Sequence, residues 1–94
     1  MTAAQCERLS ILVEELGEAL QVAGKILRHG WDSTHPNGGP TNRNLLELEL
    51  GDVMFAIKFL QMNNDVDTDS IETAAENKNF NVQKYLHNKH RMLS

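Results

Sequence analysis

Cysteine is almost missing from this chain. A single Cys6 among 94 residues allows no intrachain disulfide and no thiolate zinc site, and it suits a reducing compartment. Aromatic residues make up 5% of the sequence, so a core has to be built from Leu, Ile, Val and Ala. No apolar run approaches the ~20 residues that span a bilayer. The N-terminus lacks the basic region and apolar stretch of a signal peptide. An excess of positive charge is also missing. The net charge of -4 speaks against binding to a nucleic acid polymer or an anionic membrane. A single nucleotide stays compatible with that balance if a metal supplies the positive charge. These absences lead us to expect one soluble, cytoplasmic domain over residues 1–94. A chain this short buries only about 60% of its unfolded surface, so it is marginal on its own.

What is present is helical periodicity. Apolar residues recur at three- and four-residue steps from Leu9 to Leu27, the amphipathic signature. They predict a first helix over about 2–29, with Thr2 as N-cap and Gly30 as a left-handed C-cap. Gly17 and Gly24 interrupt it, which suggests close approach by another helix. Residues 30–41 carry three glycines, both prolines of the chain and an Asn-Gly step, and read as a loop. A loop of that length in so small a domain is expected to be functional or disordered. A second helix over about 41–62 begins at a Thr41 or Asn42 cap. A polar break at 63–67 precedes a third helix over about 69–90, capped by Asp69 or Ser70, with a basic C-terminal end that suits the helix dipole. No strand pattern or repeat is visible. The fold class is therefore all-α, a three-helix chain. The second helix is apolar nearly all round and needs cover on every side. Two further helices cannot supply it, so a helical bundle completed by homo-oligomerisation is expected.

Two carboxylates stand out on that second helix. At about 100° per residue, Glu49 and Asp52 fall in one arc with Leu45, Leu48, Phe55, Ala56, Phe59 and Leu60. Acids on an apolar face need a partner or a metal. The first helix offers a matching pair at the same i, i+3 spacing, Glu15 and Glu18, with Glu14 beside it. Antiparallel packing sets the two pairs face to face. Four carboxylates cannot converge in a poorly solvated interior without a cation. An all-oxygen donor set favours Mg²⁺, with Mn²⁺ as the alternative. No His follows any of the four by three residues, which argues against the Glu-x-x-His di-iron pattern of bundle proteins.

Glu14-Glu15-Leu16-Gly17-Glu18 followed by Glu49-Leu50-Gly51-Asp52-Val53 resembles the E-E-x-x-E…E-x-x-D signature of the MazG-like nucleotide pyrophosphohydrolases, of the all-α NTP pyrophosphatase superfamily. The similarity covers about residues 8–60 and extends more loosely into the third helix. The interval between the acidic pairs is longer than the family's usual one, because of the 30–41 loop. The third helix has Lys78, Phe80 and Lys84 in place of a clear Lys-Phe…Arg-Arg run. The resemblance implies a homodimer or dimer of dimers that cleaves the α–β phosphate bond of a nucleoside triphosphate with Mg²⁺. Carried over by position, Glu15, Glu18, Glu49 and Asp52 are the metal ligands. On that reading Glu15 or Glu18 accepts a proton from water, and Lys25, Arg28 and Lys78 are candidates to contact phosphate. Asn42 and Trp31 are candidates for the base or sugar, and His35 and His87 read as surface residues. The contrasting expectation is a non-catalytic dimerisation or nucleotide-binding module whose acids pair with Lys25, Arg28 or Lys58 across an interface.

Overall fold

The computed structural model describes all residues 1–94 as an all-α chain without strands. Helix α1 spans Ala3–His29, α2 spans Asn42–Met62 and α3 spans Thr68–Val82, followed by a short 3-10 turn over Gln83–Tyr85. Each of the three α-helices starts at a side-chain cap. The Thr2 hydroxyl accepts the Gln5 N–H at 3.1 Å, and the Gln5 carboxamide accepts the Thr2 N–H at 2.8 Å. This reciprocal box satisfies two donors that a helix start leaves unpaired. Thr41 caps α2 by accepting the Asn44 N–H at 3.2 Å. Helix α3 starts earlier than expected. Its cap is Asp67 rather than Asp69 or Ser70, accepting the Ser70 N–H at 2.9 Å and the Ser70 hydroxyl at 2.8 Å. Those two bonds hold the Asp67 carboxyl below its ordinary pKa.

Helix ends follow two different solutions. Gly30 has φ 92 and ψ 166, so it takes a positive φ but not the left-handed helical conformation expected of it. Its extended ψ sends the chain straight into the loop, while its N–H still reaches the Ile26 carbonyl at 2.7 Å. Helix α2 ends in a Schellman motif without glycine. Asn64 adopts φ 58, the Asp65 N–H donates to the Leu60 carbonyl at 3.0 Å, and the Asn64 N–H to that of Gln61 at 3.1 Å.

Helices α1 and α2 pack along each other as an antiparallel hairpin, and α3 packs against neither to a comparable extent. The hairpin interior is small: Val22, Ile26, Ala56 and Leu60, with Asn42 at its loop end, are the five buried residues of the chain. The open end is clamped by Arg8. Its guanidinium grips Asp65 with two bonds, Nε to Oδ2 at 2.5 Å and Nη2 to Oδ1 at 3.0 Å. Both side chains are largely covered, at 13% and 11% exposure. The pair ties the start of α1 to the turn that follows α2, and it holds the Asp65 carboxyl below its ordinary value.

The third helix differs most from expectation. It ends at Val82, not near residue 90, and none of its residues is buried. Asn77, Asn79 and Asn81 are poor helix formers, and Asn79 turns its side chain to another use. Its amide donates to the Leu93 carbonyl at 3.1 Å and its carbonyl accepts the Leu93 N–H at 2.9 Å, so the tail folds back along α3. His87, Lys89, His90 and Arg91 therefore lie beyond the helix rather than at its C-terminal pole.

Much apolar surface stays open. On α1 the exposed residues Leu9, Val13, Leu16, Leu20 and Leu27 form one stripe; on α2 Leu48, Phe55 and Met62 form another, with Leu50 and Met54 on the far flank. The arc of α2 expected to be core is only half covered: Ala56 and Leu60 are buried, Leu48 and Phe55 exposed. Phe55 and Phe59 stack at 5.3 Å. The close approach expected at the α1 glycines is missing too. A Cβ on Gly17 would meet nothing within 4 Å, and one on Gly24 would meet only the Arg28 guanidinium at 3.6 Å. Accessible surface totals 7569 Å², against about 5,500 Å² for a compact monomer of this mass. The radius of gyration is 16.2 Å, against about 12 Å for a compact chain of this length. No helix is long and apolar enough to cross a membrane.

Candidate metal centre

The hairpin brings together the four acids that the sequence singled out. Glu15 and Glu18 sit one turn apart on α1, and Glu49 and Asp52 one turn apart on α2. One carboxylate oxygen from each lies within 4.8 Å of one from every other. The antiparallel crossing produces this. Glu15 lies within 20° or so of Val22 on the helical wheel, and Glu49 within 20° or so of Ala56, so both point from the packed stripes toward the opposite helix. Glu18 and Asp52 stand on the same flank of the hairpin, and Asp52 opens to solvent.

The electrostatics are unfavourable for the protein alone. Oε2 of Glu15 and Oε2 of Glu49 are buried without any hydrogen-bond partner. Desolvation, first, and then the neighbouring carboxylates raise the pKa of both groups. For Glu15 those neighbours are Glu18, Asp52 and Glu14. For Glu49 they are Glu18, then Asp52 and Glu15. No cation within the chain relieves the cluster: the two ion pairs, Arg8–Asp65 and Arg43–Asp32, lie elsewhere. Buried polar atoms are normally paired. Two orphaned oxygens in a cluster of four acids fit a hard cation with oxygen ligands, and the donor set contains no sulfur or imidazole to favour a softer metal.

The other residues singled out in the sequence divide. Lys25 follows Glu18 on the same line of α1 and borders a cleft of about 620 Å³ at the loop end of the hairpin. Asn42 borders that cleft as well, but its side chain is committed to structure. It is buried, its amide donates to the Gly30 carbonyl at 3.2 Å, and its backbone N–H donates to the Ser33 carbonyl at 2.9 Å. Trp31 is covered on one face by the Arg43 guanidinium, 5.0 Å from the ring centroid, and does not line the cleft. Arg28 is exposed and reaches back over Gly24. Lys78 lies on α3, which makes no extensive contact with the hairpin, so a single chain does not carry it to the acids. His29, Ser33 and Thr34 line the cleft without any signal in the sequence, and His35, read from the sequence as a surface residue, is exposed and lines it too. Loop length alone pointed to this region, since no residue pattern within 30–41 marks a cleft.

Comparison of the chain with protein-family models, with curated proteins and with solved structures gives no match.

Proposed function

We propose that the protein is a Mg²⁺-dependent nucleoside triphosphate pyrophosphohydrolase that releases a nucleoside monophosphate and pyrophosphate, with Mn²⁺ as the substitute ion. The observation that carries this reading is the four-carboxylate cluster with its two buried, unpartnered oxygens. The order of the acids and the i, i+3 spacing within each pair, both similar to the MazG-like signature, support it.

Glu15, Glu18, Glu49 and Asp52 are the residues to hold the metal. When bound, the ion supplies Lewis-acid polarisation of phosphoryl oxygens and acidifies water. Glu15, whose proton affinity is raised by desolvation, is suited to accepting the proton of the attacking water, with Glu18 next to it as the alternative. An oxygen–phosphorus bond to water forms as the α–β bridging bond breaks, and the departing pyrophosphate carries the negative charge. Lys25 stands between the acids and the cleft, where its ammonium balances that charge.

A second copy of the chain belongs to this reading. The surface exceeds that of a compact monomer by about 2,000 Å², more than the ~800 Å² that each partner contributes to an ordinary stable interface. The uncovered stripes of α1 and α2 are apolar, which suits an obligate homodimer or dimer of dimers. Such an assembly is also what can bring Lys78 near an acidic cluster. We assign a cytoplasmic setting, where free nucleotides and Mg²⁺ meet.

The test is a screen of each NTP and dNTP with Mg²⁺, scored by pyrophosphate release. Turnover that disappears in Asp52→Asn and Glu49→Gln, with the oligomer preserved, is expected. Folded protein that turns over none of the nucleotides refutes the enzymatic reading.

A further inference from the structure

Beside the acids, the hairpin carries a preformed cleft that the metal site does not use. Its walls are Lys25 and His29 of α1, the loop from Ser33 to Pro40, and Asn42 and Leu45 of α2. At about 620 Å³ it has the size of a small-molecule site. The loop wall is held in place. The Arg43 N–H donates to the Trp31 carbonyl at 2.8 Å, the Asn42 N–H to the Ser33 carbonyl at 2.9 Å, and the Gly38 N–H to the His35 carbonyl at 2.8 Å. Asn42, buried below, fixes the loop's first residue through Gly30.

Position and chemistry suggest an occupant. Leu45 precedes Glu49 by four residues, about 6 Å along α2, and Lys25 follows Glu18 by seven, about 10.5 Å along α1. The cleft therefore begins about one turn from the acids on α2 and about two on α1, and it continues away from them along the hairpin. Lys25 is its only lysine or arginine, and no carboxylate lines it. The rest of the wall is imidazole, hydroxyl, proline and Leu45, presenting more carbon than polar surface. The Asn37 N–H donates to Nδ1 of His35 at 3.2 Å. The neutral ring then carries its proton on Nε2, a donor free for a ligand.

We propose that this loop cleft is the nucleoside subsite, taking the sugar and base of a nucleotide whose phosphates lie toward Lys25 and the four acids. This rests on the pyrophosphohydrolase reading for the direction in which the nucleotide lies. Pro36, Pro40 and the His35 ring offer flat faces to a base, and the His35 Nε2–H and the Ser33 and Thr34 hydroxyls are its polar contacts. The base preference of the protein is set by this loop rather than by Trp31 or by the Asn42 side chain.

Backbone amide NMR of the full chain with Mg²⁺ tests the assignment, using AMP, GMP, CMP and UMP as one set of probes and inorganic pyrophosphate as the other. The monophosphates should shift the amides of His35, Gly38 and Leu45. Pyrophosphate should shift those of Glu15 to Lys25 and leave the loop alone. Monophosphates that move no loop amide overturn the subsite. His35→Ala should raise KM by about 3- to 10-fold with kcat nearly unchanged, the loss of one hydrogen bond; an unchanged KM overturns it. Thr34→Trp, at an exposed position, fills the cleft without touching the core and should abolish the loop response to monophosphates. NTP turnover without any loop response refutes the subsite and leaves the activity standing. A loop response to monophosphates without turnover of any NTP refutes the activity and leaves a nucleotide site.

Discussion

Adding a divalent cation should stabilise the folded chain, and the size of the effect follows from its length. A ligand that binds only the folded state stabilises it by RT ln(1 + [L]/Kd), about 1.4 kcal/mol at tenfold excess over Kd and about 2.7 kcal/mol at a hundredfold. Unfolding entropy of about 2.1 cal/mol/K per residue amounts to about 200 cal/mol/K for 94 residues. Each kcal/mol therefore moves Tm by about 5 °C, and a Mg²⁺ or Mn²⁺ titration at pH 7.5 should raise Tm by about 7 °C and then about 13 °C at those two excesses. The pH dependence has a definite sign. Glu15 and Glu49 have folded-state pKa values above their ordinary 4.5. Their contribution to metal-free stability is full below about 4.5 and is lost as pH rises through the raised values. The cation competes with those same protons, so the metal-induced rise in Tm should grow across that window. Differential scanning fluorimetry or calorimetry from pH 5 to 8, with Mg²⁺ against EDTA, measures both trends. In Glu49→Gln the metal-free protein should be the more stable at pH 7.5 and its response to Mg²⁺ should vanish. A Tm indifferent to Mg²⁺, Mn²⁺ and EDTA throughout that range refutes the metal centre.

Three further outcomes are expected. Ala56 is fully buried between the helices, so Ala56→Leu should overpack the crossing at a cost of about 1–3 kcal/mol, read as a lower midpoint in urea. An unchanged midpoint refutes close packing of the two helices at Ala56. Arg8→Ala leaves Asp65 without its cation and should lower Tm at pH 7. Asp65 has a folded-state value below its ordinary 3.8, so the stability it contributes is present above about 3.8 and is lost as pH falls through that lower value; in Arg8→Ala that acid-induced loss should shrink. Asn42→Ala removes the bond to Gly30 at a cost of about 1 kcal/mol. It should speed amide hydrogen exchange at Arg43 and Gly38 more than at Leu60, and uniform exchange rates across the chain count against a loop held by Asn42.

The sequence by itself determined the helices and the identity of the acids, because both depend on local or periodic information. Hydrophobic spacing marks α1 and α2, Thr2 and Thr41 mark their starts, and the i, i+3 acid pairs can be read before any folding is known. Local reading failed where a side chain has two uses. Asp67 caps α3 in preference to Asp69, and Asn79 binds the returning tail, so the third helix stops at Val82. Periodicity also cannot say which side of an apolar helix is covered. Leu48 and Phe55 share an arc with Ala56, yet only Ala56 lies on the side that meets α1. The tertiary structure alone decided that Glu15 and Glu49 each carry a buried, unpartnered oxygen, because burial depends on how two helices distant in sequence cross. It alone made residues 33–40 a wall, since the bonds that hold it run from Arg43 and Asn42 back to Trp31, Ser33 and Gly30. No spacing rule anticipates bonds of that kind, because they exist only once the hairpin has closed.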